Sequence, residues 1–278
     1  MESGSSRAVM IPNIITVGNA VCGFVALTLI AGSLEEVGGS KVAHLEKAAW
    51  FILLGMVFDV FDGRVARMTG SSSGLGGQLD SLADLVTFGL APAGLVVTLH
   101  RTILEETPWG KIVWVLGLAY FLGAMLRLAR FNVEQDNGEE DHLCFRGMPT
   151  PGAAGVVASL VLVYFWLDKW KSWELRSMSA TAPDWVGLVS TWIPRGMPLI
   201  AFLLGYAMVT NRLRYPHVAS HLFAGKQSFD RFVYLIFGGI LVTFLVEPIL
   251  CALFIGYMLW TPLRALIGRL PRSREAEA

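Results

Sequence analysis

Sulfur and metal-knuckle chemistry are almost missing from this sequence. Its three cysteines, Cys22, Cys144 and Cys251, lie in separate segments with no CxxC or zinc-type spacing, so they read as packing residues or free thiols. Charge is scarce too, at 16% of residues, and balanced, with 22 basic and 22 acidic side chains. That balance gives no basis for nucleic-acid binding or for a strongly acidic partner. No Asn-x-Ser/Thr acceptor occurs, and no repeat of fixed period is visible, so an inverted-repeat transporter has no direct support. The N-terminal stretch carries no small-residue cleavage site before a polar region, which predicts that the first apolar span stays in place.

What the chain has is apolar length. Hydrophobic residues make up 54%, the mean hydropathy is +0.56, and there are nine tryptophans, a composition outside the range of soluble domains. A hydrocarbon layer of roughly 30 Å needs about 20 apolar residues in helix. Eight stretches approach that length, near 11–33, 46–68, 79–100, 111–132, 150–168, 192–211, 230–246 and 247–265. The expected fold is an all-α, polytopic transmembrane helix bundle of about eight spans. Residues 1–10 form a short leading segment, 11–211 the core, 212–229 a juxtamembrane stretch, 230–265 two further spans and 266–278 a basic tail. Glu247-Pro248 reads either as a tight turn between the last two spans or as a kink in a re-entrant hairpin.

Most of the 22 lysines and arginines fall on the side that holds both ends of the chain, which predicts cytoplasmic termini. Between the fifth and sixth spans, residues 169–194 carry four tryptophans among charges and read as an interfacial segment on the outer face.

Four aspartates interrupt this apolar background. Asp59 and Asp62 lie three apart near the end of the second span, and Asp80 and Asp84 lie four apart at the start of the third, so each pair shares one helix face. The connection between them, rich in Gly and Ser, is short enough to make the spans antiparallel neighbours. Four carboxylates beside lipid are costly unless a ligand rewards them. Two divalent cations would cancel their charge, and oxygen-only ligands favour Mg²⁺ or Mn²⁺. Paired hard cations suit phosphoryl displacement, which makes a diphosphate ester the natural guest. Gly63 lets a ligand approach the backbone, Arg67 offers a planar fork to phosphate, and Ser73 a hydroxyl.

The full spacing, Asp59, Asp62-Gly63, Ala66-Arg67, Gly76, Asp80, Asp84, resembles the signature of the CDP-alcohol phosphotransferase family, without a departure. Asp80-Ser81-Leu82-Ala83-Asp84, Phe88-Gly89-Leu90-Ala91-Pro92-Ala93, Ala129-Arg130-Phe131-Asn132, the run Phe145 to Pro151 and the run Pro12 to Asn19 are similar to its phosphatidylserine synthase branch. The resemblance spans about residues 10–165. It implies metal ligation by Asp59, Asp62, Asp80 and Asp84, with Asp84 also the general base. Gly63, Arg67 and Ser73, together with Asn13, Thr16 and Asn19, would contact the CDP-lipid. It further implies CDP-diacylglycerol and L-serine as substrates, a homodimer, and an active site facing the cytoplasm from the inner membrane.

Arg130, Asn132 and Arg146 are candidates for the acceptor amino acid, although Arg127 and Arg130 read equally well as interfacial anchors. The acidic run Glu134, Asp136, Glu139, Glu140 and Asp141 reads as solvated, and His217 with His221 as an interfacial face rather than a metal pair. A phosphorylated acceptor, inositol phosphate or glycerol phosphate, is the alternative within this chemistry. A cation-coupled transporter is the alternative outside it.

Overall fold

The computed structural model describes residues 2–35, 40–69, 74–104, 108–136, 144–176, 184–210, 214–216 and 245–267. The chain builds α1 (Glu2–Glu35), α2 (Ser40–Thr69), α3 (Gly74–Asp84), a π-helical turn (Leu85–Leu90) and α4 (Ala91–Leu104). These are followed by α5 (Gly110–Asp136), β1 (Cys144–Arg146), α6 (Thr150–Arg176), α7 (Asp184–Val209), β2 (Arg214–Pro216) and α8 (Val246–Ile267). Six helical segments among the described residues are long and apolar enough to cross a membrane, and the chain is an integral membrane protein.

Eight spans were expected. α2 falls outside the six because Glu46 and Lys47 at one end and Asp59, Asp62 and Arg64 at the other leave only residues 48–58 free of charge. It is nevertheless a continuous helix of 30 residues, packed chiefly against α1. The expected span 230–246 lies outside the described residues apart from its last two positions, as do the tail beyond Ile267 and His217 with His221.

In the tryptophan-rich stretch 169–194, α6 runs on to Arg176 and α7 begins at Asp184. Trp166 and Trp170 sit one turn apart with ring centroids 5.4 Å from each other, and Trp185 closes on Trp170 at 5.7 Å. The aromatics therefore pack the last turns of α6 against the start of α7. The all-helical bundle carries one small addition, β1 and β2, three residues each, which pair antiparallel with Arg146 opposite Arg214.

Pro248 lies in the first turn of α8, where a missing N–H costs no helical bond. In α7 the two prolines are internal, and Pro198 cannot donate to the carbonyl of Pro194 one turn back. The buried His100 fills that gap, with its Nδ1 3.2 Å from the Pro194 oxygen, which makes Nδ1 the protonated nitrogen.

The centre of the bundle is α6. Ala153, Ala154, Ala158 and Val161 are fully buried, and such small side chains let neighbouring helices approach closely. The closest approaches are at glycine. A Cβ on Gly123 of α5 would lie 2.6 Å from the Gly205 carbonyl oxygen of α7, and one on Gly155 of α6 would lie 2.2 Å from the Phe254 ring of α8. Outward-facing positions such as Phe24, Val60, Leu199 and Leu253 are apolar and exposed, as a lipid-facing surface requires.

Candidate active site

Helix geometry alone brings Asp59 and Asp62 to one face of α2 and Asp80 and Asp84 to one face of α3. Packing then sets the two faces together. One carboxylate oxygen each from Asp59, Asp62 and Asp80 lies within 4.8 Å of the others. Asp84 is not in that converging set but is close enough to interact electrostatically with all three. Asp62 and Asp84 are buried, while Asp59 and Asp80 are partly exposed.

The first helix holds this cluster in place. Thr16 Oγ1 donates to Asp62 Oδ2 at 2.8 Å, and one turn later Asn19 Nδ2 donates to Asp84 Oδ1 at 2.9 Å. Asn19 is itself fixed, because Thr87 in the π-helical turn donates its hydroxyl to the Asn19 carbonyl at 3.0 Å. Space for Thr87 comes from two glycines: a Cβ on Gly23 would come 2.4 Å from its hydroxyl, and one on Gly55 would come 2.5 Å from its methyl. Thr16 and Asn19, expected beside the CDP-lipid, thus engage the carboxylates directly.

The π-helical turn follows Asp84 at once. Ala91 N–H bonds to the Val86 carbonyl five residues back, and Tyr120 of α5 donates its hydroxyl to the Phe88 carbonyl at 3.0 Å. Such turns insert an extra residue into a helix and recur at functional sites.

The donor set fits a hard divalent cation. It is all oxygen, three carboxylates converge, and Asp80 Oδ1 is buried with no hydrogen-bond partner among the described residues. An orphaned carboxylate oxygen is costly, and a bound cation would satisfy it.

Of the other expected residues, Gly63 follows Asp62 on α2 and is half-buried, and Asn13 lies one turn before Thr16 on α1. Arg67 lies on the last turns of α2 with its side chain outside the described residues, and Ser73 is outside them altogether. Asn132 is brought to the cluster, since Ser81, between Asp80 and Asp84, donates its hydroxyl to Asn132 Oδ1 at 2.9 Å. Arg130 instead pairs with Glu134 at 2.7 Å on its own helix, both partly exposed. Arg146 sits in β1, its side chain outside the described residues.

Two site residues escaped the sequence reading. Ser81 lies within the aspartate motif and could have been found by its position. Arg127, weighed as an interfacial anchor, is in fact buried, with its guanidinium carbon 5.7 Å from the Phe131 ring centre and within electrostatic reach of Asp84 and Asp59.

With this geometry in view, comparison with known proteins defines the class. The CDP-alcohol phosphatidyltransferase family profile matches residues 9–193, and the chain belongs to that family. Among curated proteins it is similar to the CDP-diacylglycerol–serine O-phosphatidyltransferase of Mycobacterium leprae, 39% identical over 178 residues, covering 60% of this chain and 54% of the relative. The enzyme of the same name from Bacillus subtilis is 37% identical over 155 residues, 55% of this chain and 76% of the relative. That from Saccharomyces cerevisiae is 37% identical over 153 residues, 52% and 51%. The chain spans little more than half the length of the mycobacterial relative.

Proposed function

We propose that this protein transfers the phosphatidyl group of CDP-diacylglycerol to the hydroxyl of L-serine, giving phosphatidylserine and CMP, at the cytoplasmic face of the inner membrane. The observation that carries this reading is the convergence of the Asp59, Asp62 and Asp80 oxygens within 4.8 Å at the junction of two helices. The names of the relatives support serine as acceptor.

Asp59, Asp62 and Asp80, joined by Asp84, would hold Mg²⁺ or Mn²⁺, two ions by charge balance. Bound there, the ions supply electrophilic activation of the diphosphate and neutralise the leaving charge. The chain does the rest. Gly63, Arg67 and Ser73 would contact the CDP-lipid, with Arg67 offsetting phosphate charge. Asp84 takes the proton of the serine hydroxyl. The Asn19 bond to Oδ1 leaves the second oxygen of Asp84 for that proton and fixes the orientation of the base. The serine oxygen then forms a bond to the phosphorus that carries diacylglycerol, and the bond from that phosphorus to the CMP oxygen breaks. Asn132, held beside the motif by Ser81, would with Arg130 and Arg146 meet the acceptor.

The test is an acceptor panel on one detergent-purified sample supplied with Mg²⁺ or Mn²⁺. CMP release from CDP-diacylglycerol is expected with serine and absent without it. Release with inositol phosphate or glycerol phosphate, and none with serine, overturns the acceptor while leaving the reaction class.

A further inference from the structure

Arg127 poses a physical question that the aspartate site leaves open. An arginine only 9% exposed, inside an apolar bundle, is expensive unless its charge is used. Asp84, Asp59 and Glu134 lie within its electrostatic reach, and so does Tyr257 of α8. That last neighbour is unexpected, because α8 lies wholly beyond residues 9–193, the part that carries the family match. Its seat is nonetheless specific. The Phe254 ring packs onto Gly155 and the Tyr257 ring onto Gly152, where a Cβ would lie 3.2 Å from the ring. Both pairs are three residues apart, so one face of α8 keys into one face of α6 and delivers the Tyr257 side chain to the Arg127 region.

Resting on the reading above, an amino-acid acceptor presents its hydroxyl to Asp84 while carrying its own carboxylate into a site already rich in negative charge. Repulsion would exclude it unless a cation stood near the base. Its ammonium group suits the aspartates; its carboxylate does not. We propose that Arg127, steadied by Tyr257 from the last helix, binds the acceptor's carboxylate and so selects an amino acid over a plain alcohol. α8 is then part of the acceptor site.

The experiment compares serine with serinol, which keeps the hydroxyl and the ammonium but lacks the carboxylate. Assays use the full-length protein in detergent, with CMP release as readout. In Arg127→Gln, KM for serine should rise roughly ten- to a hundredfold, the scale of a lost charge-assisted hydrogen bond, while serinol transfer falls by much less. The preference for serine over serinol should therefore collapse. Tyr257→Phe, which keeps the packing on Gly152, should shift the same ratio in the same direction by less. Binding of CDP-diacylglycerol, followed by tryptophan fluorescence, reports whether each variant is folded. Equal losses on serine and serinol in a folded Arg127→Gln protein overturn the proposal, as does an unchanged ratio. An unfolded Arg127→Gln passes the decision to Tyr257→Phe, in which an unchanged ratio has the same force. A wild-type protein that ignores serine yet transfers to an alcohol without a carboxylate overturns the serine reading itself, separately from the role of Arg127.

Discussion

Replacing Asn19 with leucine separates the stability of the site from its chemistry. The substitution keeps the branched shape against Gly55, whose Cβ would lie 2.9 Å from Asn19 Oδ1, and leaves the backbone carbonyl free to accept from Thr87. What disappears is the 2.9 Å donation to Asp84. A hydrogen bond to a charged group contributes about 1.5–3 kcal/mol. Asn19 Oδ1, however, is buried without a partner among the described residues, and removing such a group returns about 1–3 kcal/mol. The two effects on folding nearly cancel, so the thermal unfolding midpoint in detergent should hardly move. Turnover has no such compensation. With Asp84 no longer held, kcat should fall roughly ten- to a hundredfold, by the conversion of about 1.4 kcal/mol per factor of ten. Parallel melting curves and CMP-release kinetics measure both. A destabilised protein with undiminished kcat would refute the assignment of Asn19 as the anchor of the base.

Asp84→Asn should abolish CMP release while CDP-diacylglycerol binding is largely kept, because the amide retains an oxygen but cannot take a proton; residual wild-type activity would remove Asp84 as base. Asp80→Asn should weaken Mn²⁺ binding, read by electron paramagnetic resonance of the free ion, and chelation of the wild type should stop turnover until Mg²⁺ or Mn²⁺ is restored; unaltered Mn²⁺ affinity would place the cation elsewhere. Gly155→Val should lower the unfolding midpoint, since even a Cβ there meets the Phe254 ring at 2.2 Å and overpacking costs about 1–3 kcal/mol. His100→Leu should destabilise the wild type by about 1 kcal/mol but cost less in a Pro198→Ala background, where the Pro194 carbonyl regains a helical donor; equal losses in both backgrounds would show that His100 does not repair the proline gap.

The aspartate site was legible because its logic is local: spacings of three and four place each carboxylate pair on a face, and a short connection brings the faces together. The work of α1 was only half legible. Thr16 and Asn19 are one turn apart, which marks a polar face, but that this face meets Asp62 and Asp84 depends on the antiparallel packing of α1 on α2. Arg127 was misjudged because α5 is apolar nearly all round, and such a helix gives no sign of which side its neighbours will cover. The pairing of β1 with β2 joins segments about 70 positions apart and has no local signal. In the tryptophan-rich stretch, Lys169 was read as the first residue beyond the fifth apolar span. It lies inside α6 and reaches Glu46 of α2 at 2.6 Å, so charge ends an apolar span without ending the helix beneath it.

The extra residue in the turn after Asp84 sets the phase between the aspartate-bearing face and the remainder of its span. Each helical residue advances about 100° around the axis. Excising one position from Leu85–Leu90 would therefore swing Asp80 and Asp84 by about that angle relative to α4, aiming them away from Asp59 and Asp62 while leaving every side chain of the motif intact. The register of this span works as a mechanical key: the motif letters can all be present, and the lock still fail to turn.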